Sequence, residues 1–462
     1  MTSIMPSHGT ATPLAGLFSA AVDHPLVPTP PDPRCEAIII VPARDEAIGI
    51  AATLAALAGQ RTADGAPLDP CRFEIILLAN NCADATATVA RAFAATHPTL
   101  ALHIVERAFP AAEANVGTAR RLLMDEAYRR LASLGRPRGI IVSTDADTRP
   151  EPTWLAATLA EIAAGADAVG GRIHTDAHDR ALLAEGARHS HLRDIGYRTL
   201  MSEVEALLDP VSHDPWPHHF QHFGASLALT AEAYRAVGGL PHLSALEDVA
   251  LSVALVLADA RFRHGPAVRV VTSARTVARN VRGFSTQLQE WEALRAAHAP
   301  FLVESAASIV TRARQRRCLR QLWGAARAGL AGDSAALVAL AQELGLAASW
   351  LGAQLAASQP FGTLELRVAR RQGKRLPFDA IGPAQPIEAA TRELRATVAA
   401  LREAGSAPCE EIEPIRLRAL APEVIEEATV VMEEFLVDLV AGQRRVINDR
   451  RPVDQQELTA AD

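Results

Sequence analysis

The sequence lacks several features that would identify a membrane protein, a secreted protein or a common nucleotide site. Its 462 residues contain no charge-free apolar run of about 18 residues, the length that a membrane-spanning helix needs. The N-terminus lacks a basic stretch followed by an apolar one, so we expect no secretory signal. The Gly-x-Gly-x-x-Gly turn and the Gly-Lys-Ser/Thr loop are both missing, which argues against a standard dinucleotide-binding or P-loop domain.

The sequence also has few cysteines and a small net charge. The five cysteines are odd in number, scattered along the chain and without metal-ligand spacing, which is typical of a reducing compartment. We therefore expect a cytoplasmic protein. The formal net charge of −7 gives no reason to expect binding to nucleic acid. The stretch nearest to a membrane segment is 344–358, whose polar side chains favour a buried helix and leave only a peripheral membrane contact open.

Composition and periodicity divide the chain into three parts. Residues 1–34 are rich in Pro, Ala, Thr and Ser and are predicted to form a flexible tail. In residues 35–289 short apolar runs alternate with helical patterns, which predicts an α/β fold with a mainly parallel sheet flanked by helices. Residues 290–462 are predicted to be a helical C-terminal domain. Within the α/β part the pattern loosens over 175–223, and we interpret that segment as an irregular, functional or mobile insertion.

A pair of carboxylates follows the fourth predicted strand, residues 139–144. Asp145 and Asp147 are separated by one alanine. In open α/β sheets, ligands bind beyond the carboxyl ends of the strands. Carboxylates at that edge are suitable ligands for a divalent cation that also binds phosphate oxygens. An isolated Asp-x-Asp is more often a simple turn, so this interpretation depends on the rest of the chain.

Four further segments, together with this one, resemble the motifs of family 2 glycosyltransferases, which have the Rossmann-like GT-A fold. The five segments, in chain order, are Val41-Pro42-Ala43-Arg44-Asp45-Glu46, Asn80-Asn81-Cys82-Ala83-Asp84-Ala85-Thr86, Asn115-Val116-Gly117-Thr118-Ala119-Arg120, Asp145-Ala146-Asp147 and Glu247-Asp248. The resemblance covers about residues 35–282. It implies an enzyme that moves one sugar from a nucleotide sugar to an acceptor hydroxyl, with Mg²⁺ or Mn²⁺ as cofactor.

The resemblance also implies which residues hold the donor. Asp147 is expected to bind the metal directly, and Asp145 to bind the metal or the donor ribose. The other residues expected at the nucleotide sugar are Pro42, Ala43, Arg44, Glu46, Asn80, Asn115 and Arg120. Arg120 or Arg275 could pair with the diphosphate through a bidentate guanidinium. Many family members carry an Asp that contacts uracil where this chain has Ala79, so the donor base stays open.

Glu247 and Asp248 are expected to supply the base. An acceptor hydroxyl becomes a good nucleophile when a base removes its proton during attack. We expect Asp248 to be that base and Glu247 to orient the acceptor or the base. One base opposite the leaving group predicts inversion at the anomeric carbon. A retaining transferase of the same fold and a binding module that has lost catalysis are the alternatives.

A histidine-rich stretch precedes a run of small residues. Its histidines, His213, His218, His219 and His222, do not have the spacing of a standard zinc site. We interpret the stretch as a loop at the acceptor, with four contact residues, Trp216, His222, Gly224 and Ala225. Some relatives bind the metal through a His after the base helix, where this chain has Arg275. His264 is expected in a loop.

Two patterns stand out in the helical C-terminal part. The arginines Arg312, Arg314, Arg316, Arg317 and Arg320 predict either a solvated helix face or an interface with acidic groups. The apolar residues Val430, Val431, Phe435, Leu436 and Leu439 recur at helical spacing and predict a core contact or a homodimer seam. The Gln-x-x-Arg-Trp motif of processive relatives is incomplete, which favours transfer of one sugar per event.

Overall fold

The computed structural model of the 462-residue chain describes residues 25–275, 283–330, 332–357, 359–377, 379–405, 409 and 415–434. Most of the predicted tail lies outside these ranges. Its last ten residues are described, and they lie against the α/β part. Val27 is buried, and Arg130 donates hydrogen bonds to the carbonyl oxygens of Val27 and Thr29.

Strands and helices alternate along the first half of the chain. The strands are β1 (Ala37–Ala43), β2 (Phe73–Asn80), β3 (Leu102–Arg107), β4 (Ile140–Ser143), β5 (Thr148–Pro150), β6 (Ala168–Thr175), β7 (Leu227–Thr230) and β8 (Phe262–Thr272). The helices are α1 (Ile50–Ala58), α2 (Thr86–Thr96), α3 (Val116–Ser133), α4 (Trp154–Ala163), α5 (Ala177–Leu182), α6 (Glu185–Leu208), α7 (Ala231–Ala236) and α8 (Glu247–Leu257).

These strands form one eight-stranded sheet in the order β3-β2-β1-β4-β7-β6-β8-β5. Neighbouring strands are parallel except for the pairs that include β7 or β5. These two strands run antiparallel to the other six. The carboxyl ends of β1, β2, β4, β6 and β8 therefore lie along one edge, where β7 and β5 begin. The prediction of an α/β fold with a mainly parallel sheet is confirmed.

The sheet is buried on both faces, as its continuous apolar strands predict. Successive residues of β1 point to opposite faces. Ile38 and Ile40 pack with α3, α7 and α8, whereas Ile39 and Val41 pack with α1, α2 and α4. Helices on both sides thus fix the strand ends at which a ligand would bind.

The segment after β6 differs from its prediction. Most of it is helical, because α5 and the 24-residue α6 lie within 177–208, and the irregular part is 209–223. The buried α6 residues Tyr197 and Val204 pack against Ile309 and Leu394 of the C-terminal region. The sequence hides this helix because its other positions carry His, Arg, Asp and Glu. His264 also differs from its prediction, because it lies on strand β8 and not in a loop.

The C-terminal region is helical, as predicted, apart from a short antiparallel pair of strands. Its elements are α9 (Phe284–Ala296), β9 (Leu302–Glu304), α10 (Ala306–Arg327), α11 (Ser334–Glu343), α12 (Ala348–Ala356), α13 (Phe361–Arg371), β10 (Ala384–Pro386) and α14 (Ile387–Ala404). Residues 422–434 are also helical. Among the described residues no single helix has the length and apolarity to cross a membrane. The pair α11 and α12, bent by 116°, meets those criteria only when taken together.

The arginines of α10 form an interface with acidic groups. Arg312 lies 3.0 Å from Glu304, Arg316 lies 2.8 Å from Glu365, and Arg320 pairs with Asp209 at the end of α6. Of the predicted apolar seam, Val431 is buried in the main core and Val430 is exposed. Phe435, Leu436 and Leu439 lie outside the described residues.

Candidate active site

A cavity of about 490 Å³ opens at the carboxyl edge of the sheet. It brings together all of the predicted donor, metal and base residues and two of the four predicted acceptor residues. Those that line it are Pro42, Ala43, Arg44, Glu46, Asn80, Asn115, Arg120, Asp145, Asp147, Gly224, Ala225, Glu247 and Asp248. The two acidic clusters, about a hundred residues apart in the chain, therefore face one space.

The turn after β1 is held by the turn after β2. Asp45 has a positive φ of 53°, and its Oδ1 accepts a hydrogen bond of 2.7 Å from the amide of Ala83. The amide of Glu46 donates to Thr86 Oγ1 at 2.8 Å. These contacts place the buried Glu46 carboxylate at the cavity. The motif residues Asp45 and Thr86 thus position the site without lining it.

Arg120 joins the two acidic clusters. Its guanidinium extends from α3, is 4% exposed, and donates from Nη2 to Asp145 Oδ1 at 2.7 Å and from Nη1 to Glu247. Burial works against its charge, but Glu247 and Asp145 hold its pKa above the ordinary value. A Cβ added at Gly224 would lie 2.5 Å from Arg120 Cζ. Gly224 therefore lets the backbone pass close to the guanidinium.

Arg275 makes a second bridge on the donor side. Its Nη1 donates to Glu46 Oε2 at 2.9 Å, and its Nη2 lies 2.9 Å from Asp147 Oδ2. Arg275 follows β8, at the position where the resemblance gave no histidine ligand. The cavity thus has a cation beside each of the paired aspartates.

Burial also changes the acidity of these carboxyl groups. Desolvation, followed by repulsion from Asp145, raises the pKa of Asp147 to about 6. Desolvation raises the pKa of Asp145 against the attraction of Arg120. Two nearby carboxylates removed from water are stabilised by a cation. Asp145 and Asp147 therefore fit a divalent ion such as Mg²⁺ or Mn²⁺ in the chemistry of their oxygens.

Asp248 is held at the cavity wall by main-chain donors. Its Oδ2 accepts from the amide of Gly224 at 2.7 Å, and its Oδ1 accepts from the amide of Val249 at 2.8 Å. It lies in the first turn of α8, where the helix dipole favours a negative charge. Its neighbour Glu247 points to Arg120, and burial raises the pKa of Glu247 to about 7.

Asn80, at the end of β2, presents a buried polar atom. The residue is 3% exposed, and its Nδ2 donates to the carbonyl oxygen of Asn115 at 3.2 Å. Its Oδ1 has no hydrogen-bond partner among the described residues. The side chain of Asn115 caps α3 by accepting from the amide of Thr118 at 2.9 Å. Asn80 is therefore the better placed of the two to bind a donor group.

Trp216 and His222 do not line the cavity, in contrast to the acceptor loop predicted from the sequence. Trp216 is 37% exposed and its ring meets His218 edge-on. The ring of His222 lies against Phe262 and His264 on β8. The loop turns its histidines toward β8 because those rings pack there, and it presents Phe220, Gln221 and Phe223 to the cavity instead.

Two helices contribute residues that sequence reasoning did not single out. From α6 come His191, Asp194 and Arg198, which follow the i, i+3, i+7 spacing of one helix face. That spacing is the signal that could have identified them. From α9 comes Trp291, whose buried Nε1 makes no hydrogen bond with the described residues. These residues line the same cavity as the turn after β1.

Comparison with known proteins finds a family model that is similar to part of the chain. Residues 38–218 match the model of the family described as Glycosyl transferase family 2. No protein of curated function matches the chain.

Three solved structures are similar at low identity. They are a mannosyltransferase from Pyrobaculum calidifontis in complex with GDP-Man and Mn²⁺ (19% identity, 84% of this chain and 91% of that chain covered, TM-score 0.35), S. aureus TarS 1-349 in complex with UDP-GlcNAc (13%, 76% and 96%, 0.37), and glucosyl-3-phosphoglycerate synthase from Mycobacterium tuberculosis in complex with Mn²⁺, UDP and phosphoglyceric acid (16%, 64% and 86%, 0.31). At these TM-scores the likenesses carry no argument about the substrates of this chain.

Proposed function

We propose that the protein, whose residues 38–218 match the model of glycosyl transferase family 2, is a metal-dependent, inverting glycosyltransferase that moves one sugar from a nucleotide sugar to an acceptor hydroxyl. One observation carries the proposal. Asp147 and Asp248, from distant parts of the chain, line the same cavity, and Arg120 connects their neighbours Asp145 and Glu247.

The donor would occupy the side formed by β1, β2 and β4. Asn80 Oδ1, which is buried and lacks a partner, would accept a hydrogen bond from the base or the ribose. Asp145 and Asp147 would hold Mg²⁺ or Mn²⁺, which when bound supplies charge stabilisation for the departing diphosphate. Arg275 lies 2.9 Å from Asp147 and would add a guanidinium donor to the same phosphate oxygens.

The acceptor would enter on the side of Asp248. This carboxylate would take the proton of the acceptor hydroxyl as the oxygen attacks the anomeric carbon, while the nucleoside diphosphate leaves on the opposite side. The amides of Gly224 and Val249 fix the carboxylate during this step. Glu247 would act as a positioning residue by holding Arg120. One base and one displacement give inversion.

Substituting Asp248 tests this proposal. We expect Asp248→Asn to lower kcat by about 10²- to 10⁴-fold, because proton removal is lost while the amide still accepts from Gly224. The measurement is release of nucleoside diphosphate from a panel of nucleotide sugars with Mn²⁺. Thermal shifts with the same donors give a second readout, since a bound ligand stabilises the fold by mass action.

The outcomes separate the alternatives. A binding module would show metal-dependent donor stabilisation in both forms and turnover in neither. Analysis of the product anomer distinguishes inversion from retention. Flat thermal responses to every donor, both with and without metal, would reject the proposal.

The acceptor side is proposed to include α6 and α9. Trp291 Nε1 is a buried donor without a partner among the described residues, and Trp291 lines the cavity. We expect Trp291→Phe to raise the acceptor KM by about 2- to 10-fold through the loss of one hydrogen bond, with donor KM unchanged. Steady-state kinetics with each substrate varied in turn is the measurement. An unchanged acceptor KM would mean that the indole does not contact the acceptor.

A further inference from the structure

Outside the cavity, an aspartate and two histidines converge between the 210–223 loop and β8. Asp214, His218 and His264 each offer a ligand atom, and these atoms lie within 4.8 Å of one another. Asp214 and His218 come from the loop and His264 from the strand. Asp214 Oδ2 is 2.8 Å from His264 Nδ1 and 3.9 Å from His218 Nδ1. The three side chains are largely buried, with exposures of 10%, 13% and 21%.

The distances between these ligand atoms are close to the distances between the ligand atoms of a zinc ion. Bonds of about 2.0–2.1 Å at tetrahedral angles separate two ligand atoms by about 3.3 Å. The two measured separations lie on either side of that value, so rotations of the side chains bring both nitrogens and the carboxylate oxygen onto one ion. His218 Nδ1 is also 3.2 Å from the carbonyl oxygen of His219, a contact that metal binding would replace.

The surrounding groups orient the ligands. Asp214 Oδ1 accepts from Arg263 Nη1 at 2.9 Å and from the amide of His264 at 2.9 Å, which leaves Oδ2 to face the imidazoles. Such second contacts fix a ligating carboxylate. Arg263 brings a positive charge near the site, and Glu161, 3.5 Å from it, offsets that charge. His219 Nε2 lies 3.3 Å from the carbonyl oxygen of Gly265, so this histidine already has a partner.

We propose that Asp214, His218 and His264 bind one Zn²⁺ ion, with a fourth position open to water. Two imidazoles and one carboxylate are a common three-residue zinc set. The ion would attach the loop to β8 at positions five and nine residues before Phe223, which lines the cavity. Its role would be to hold the cavity-facing part of the loop in place, and it is separate from the cation at Asp145 and Asp147.

Metal analysis of the full chain tests the proposal. After growth with zinc and gel filtration, we expect one zinc per chain by mass spectrometry of the metal. We expect His218→Gln and His264→Gln each to weaken zinc binding by at least about tenfold in competition with a chromophoric chelator. Replacement of zinc by Co²⁺ should give the intense visible absorption of a four-coordinate site in the unsubstituted chain.

Two controls make the result specific. His189→Gln changes an exposed histidine in the same way and should keep the zinc. Asp147→Asn removes a residue of the cavity and should also keep it. The proposal is wrong if the unsubstituted chain binds no zinc under titration, or if zinc is lost in Asp147→Asn and kept in the two ligand variants. These readouts do not use activity, so they are independent of the proposed transferase function.

Discussion

At the scale of single residues, Arg120 has the most consequences. It is buried, it contacts Asp145 and Glu247, and Gly224 passes against its guanidinium. Replacing both partners of a buried ion pair by apolar residues changes the free energy of unfolding little. Removing only one partner destabilises the fold, because it leaves an uncompensated buried charge. The arginine therefore matters for stability as well as for the site.

We expect Arg120→Met to lower the free energy of unfolding by about 3–5 kcal/mol, because Glu247 loses its counter-charge. Urea denaturation measures this. The double substitution Arg120→Met with Glu247→Gln should recover part of the loss, since Asp145 is then the one former partner of Arg120 that keeps an uncompensated charge. If the double variant is as unstable as the sum of the two single variants, the two side chains do not interact.

Residue patterns predicted which carboxylates line the cavity better than they predicted the contacts of those carboxylates. Asp145, Asp147, Glu247 and Asp248 follow strands or open helices, so their local sequence places them at the sheet edge. The pairing of Arg275 with Asp147 could not be predicted, because it depends on how β8 and β4 end relative to each other. His222 was assigned to the acceptor, but its ring packs on β8 because Phe262 and His264 lie there.

At the scale of elements, the central strands were predictable and α6 was not. Strands β1, β2 and β4 are buried on both faces and are therefore continuously apolar. Helix α6 buries only some of its residues. The polar residues between them obscure the helical spacing of the apolar ones in the sequence. The start of β8 was missed for a related reason, since Arg263, His264, Gly265 and Pro266 interrupt the alternation that marks a strand.

Asp167 links three elements at the opposite edge of the sheet. It precedes β6, and its carboxylate pairs with Arg138 before β4 at 2.7 Å and with Arg261 before β8 at 3.0 Å. Burial works against the charge of this carboxylate, but hydrogen bonds from Arg261 and Arg138 hold its pKa below the ordinary 3.8.

A lowered pKa in the folded state means that the stabilisation is complete above the ordinary pKa and is lost as the pH falls toward the folded value. We expect Asp167→Asn to cost about 2 kcal/mol at pH 7, and the difference from the unsubstituted chain to shrink below about pH 4. Thermal unfolding across that range measures it. A difference that stays constant with pH would show that the charge of Asp167 does not stabilise the fold.

At the scale of the whole molecule, the helical C-terminal region and the α/β part share packed surfaces. Tyr197 and Val204 of α6 pack with Ile309 and Leu394, and Asp209 at the end of α6 pairs with Arg320. The division at residue 289, predicted from the loss of strand patterns, falls inside helix α9 (Phe284–Ala296). We propose that the two parts do not fold separately.

A chain ending at residue 289 tests this. It would expose the apolar stripe of α6 and leave Asp209 without Arg320, so we expect it to aggregate or to unfold at a temperature well below that of the full chain. Gel filtration and thermal unfolding of both chains are the measurements. A monomeric fragment with the melting temperature of the full chain would show instead that residue 289 is a true domain boundary.

The shared guanidinium of Arg120 also has a consequence for binding. It donates to Asp145 and to Glu247, the neighbour of Asp248, so a change of charge at one carboxylate alters the other. Coupling of this kind is reciprocal in free energy. If the donor and the acceptor bind beside these two carboxylates as proposed, each should change the dissociation constant of the other by the same factor, whichever binds first.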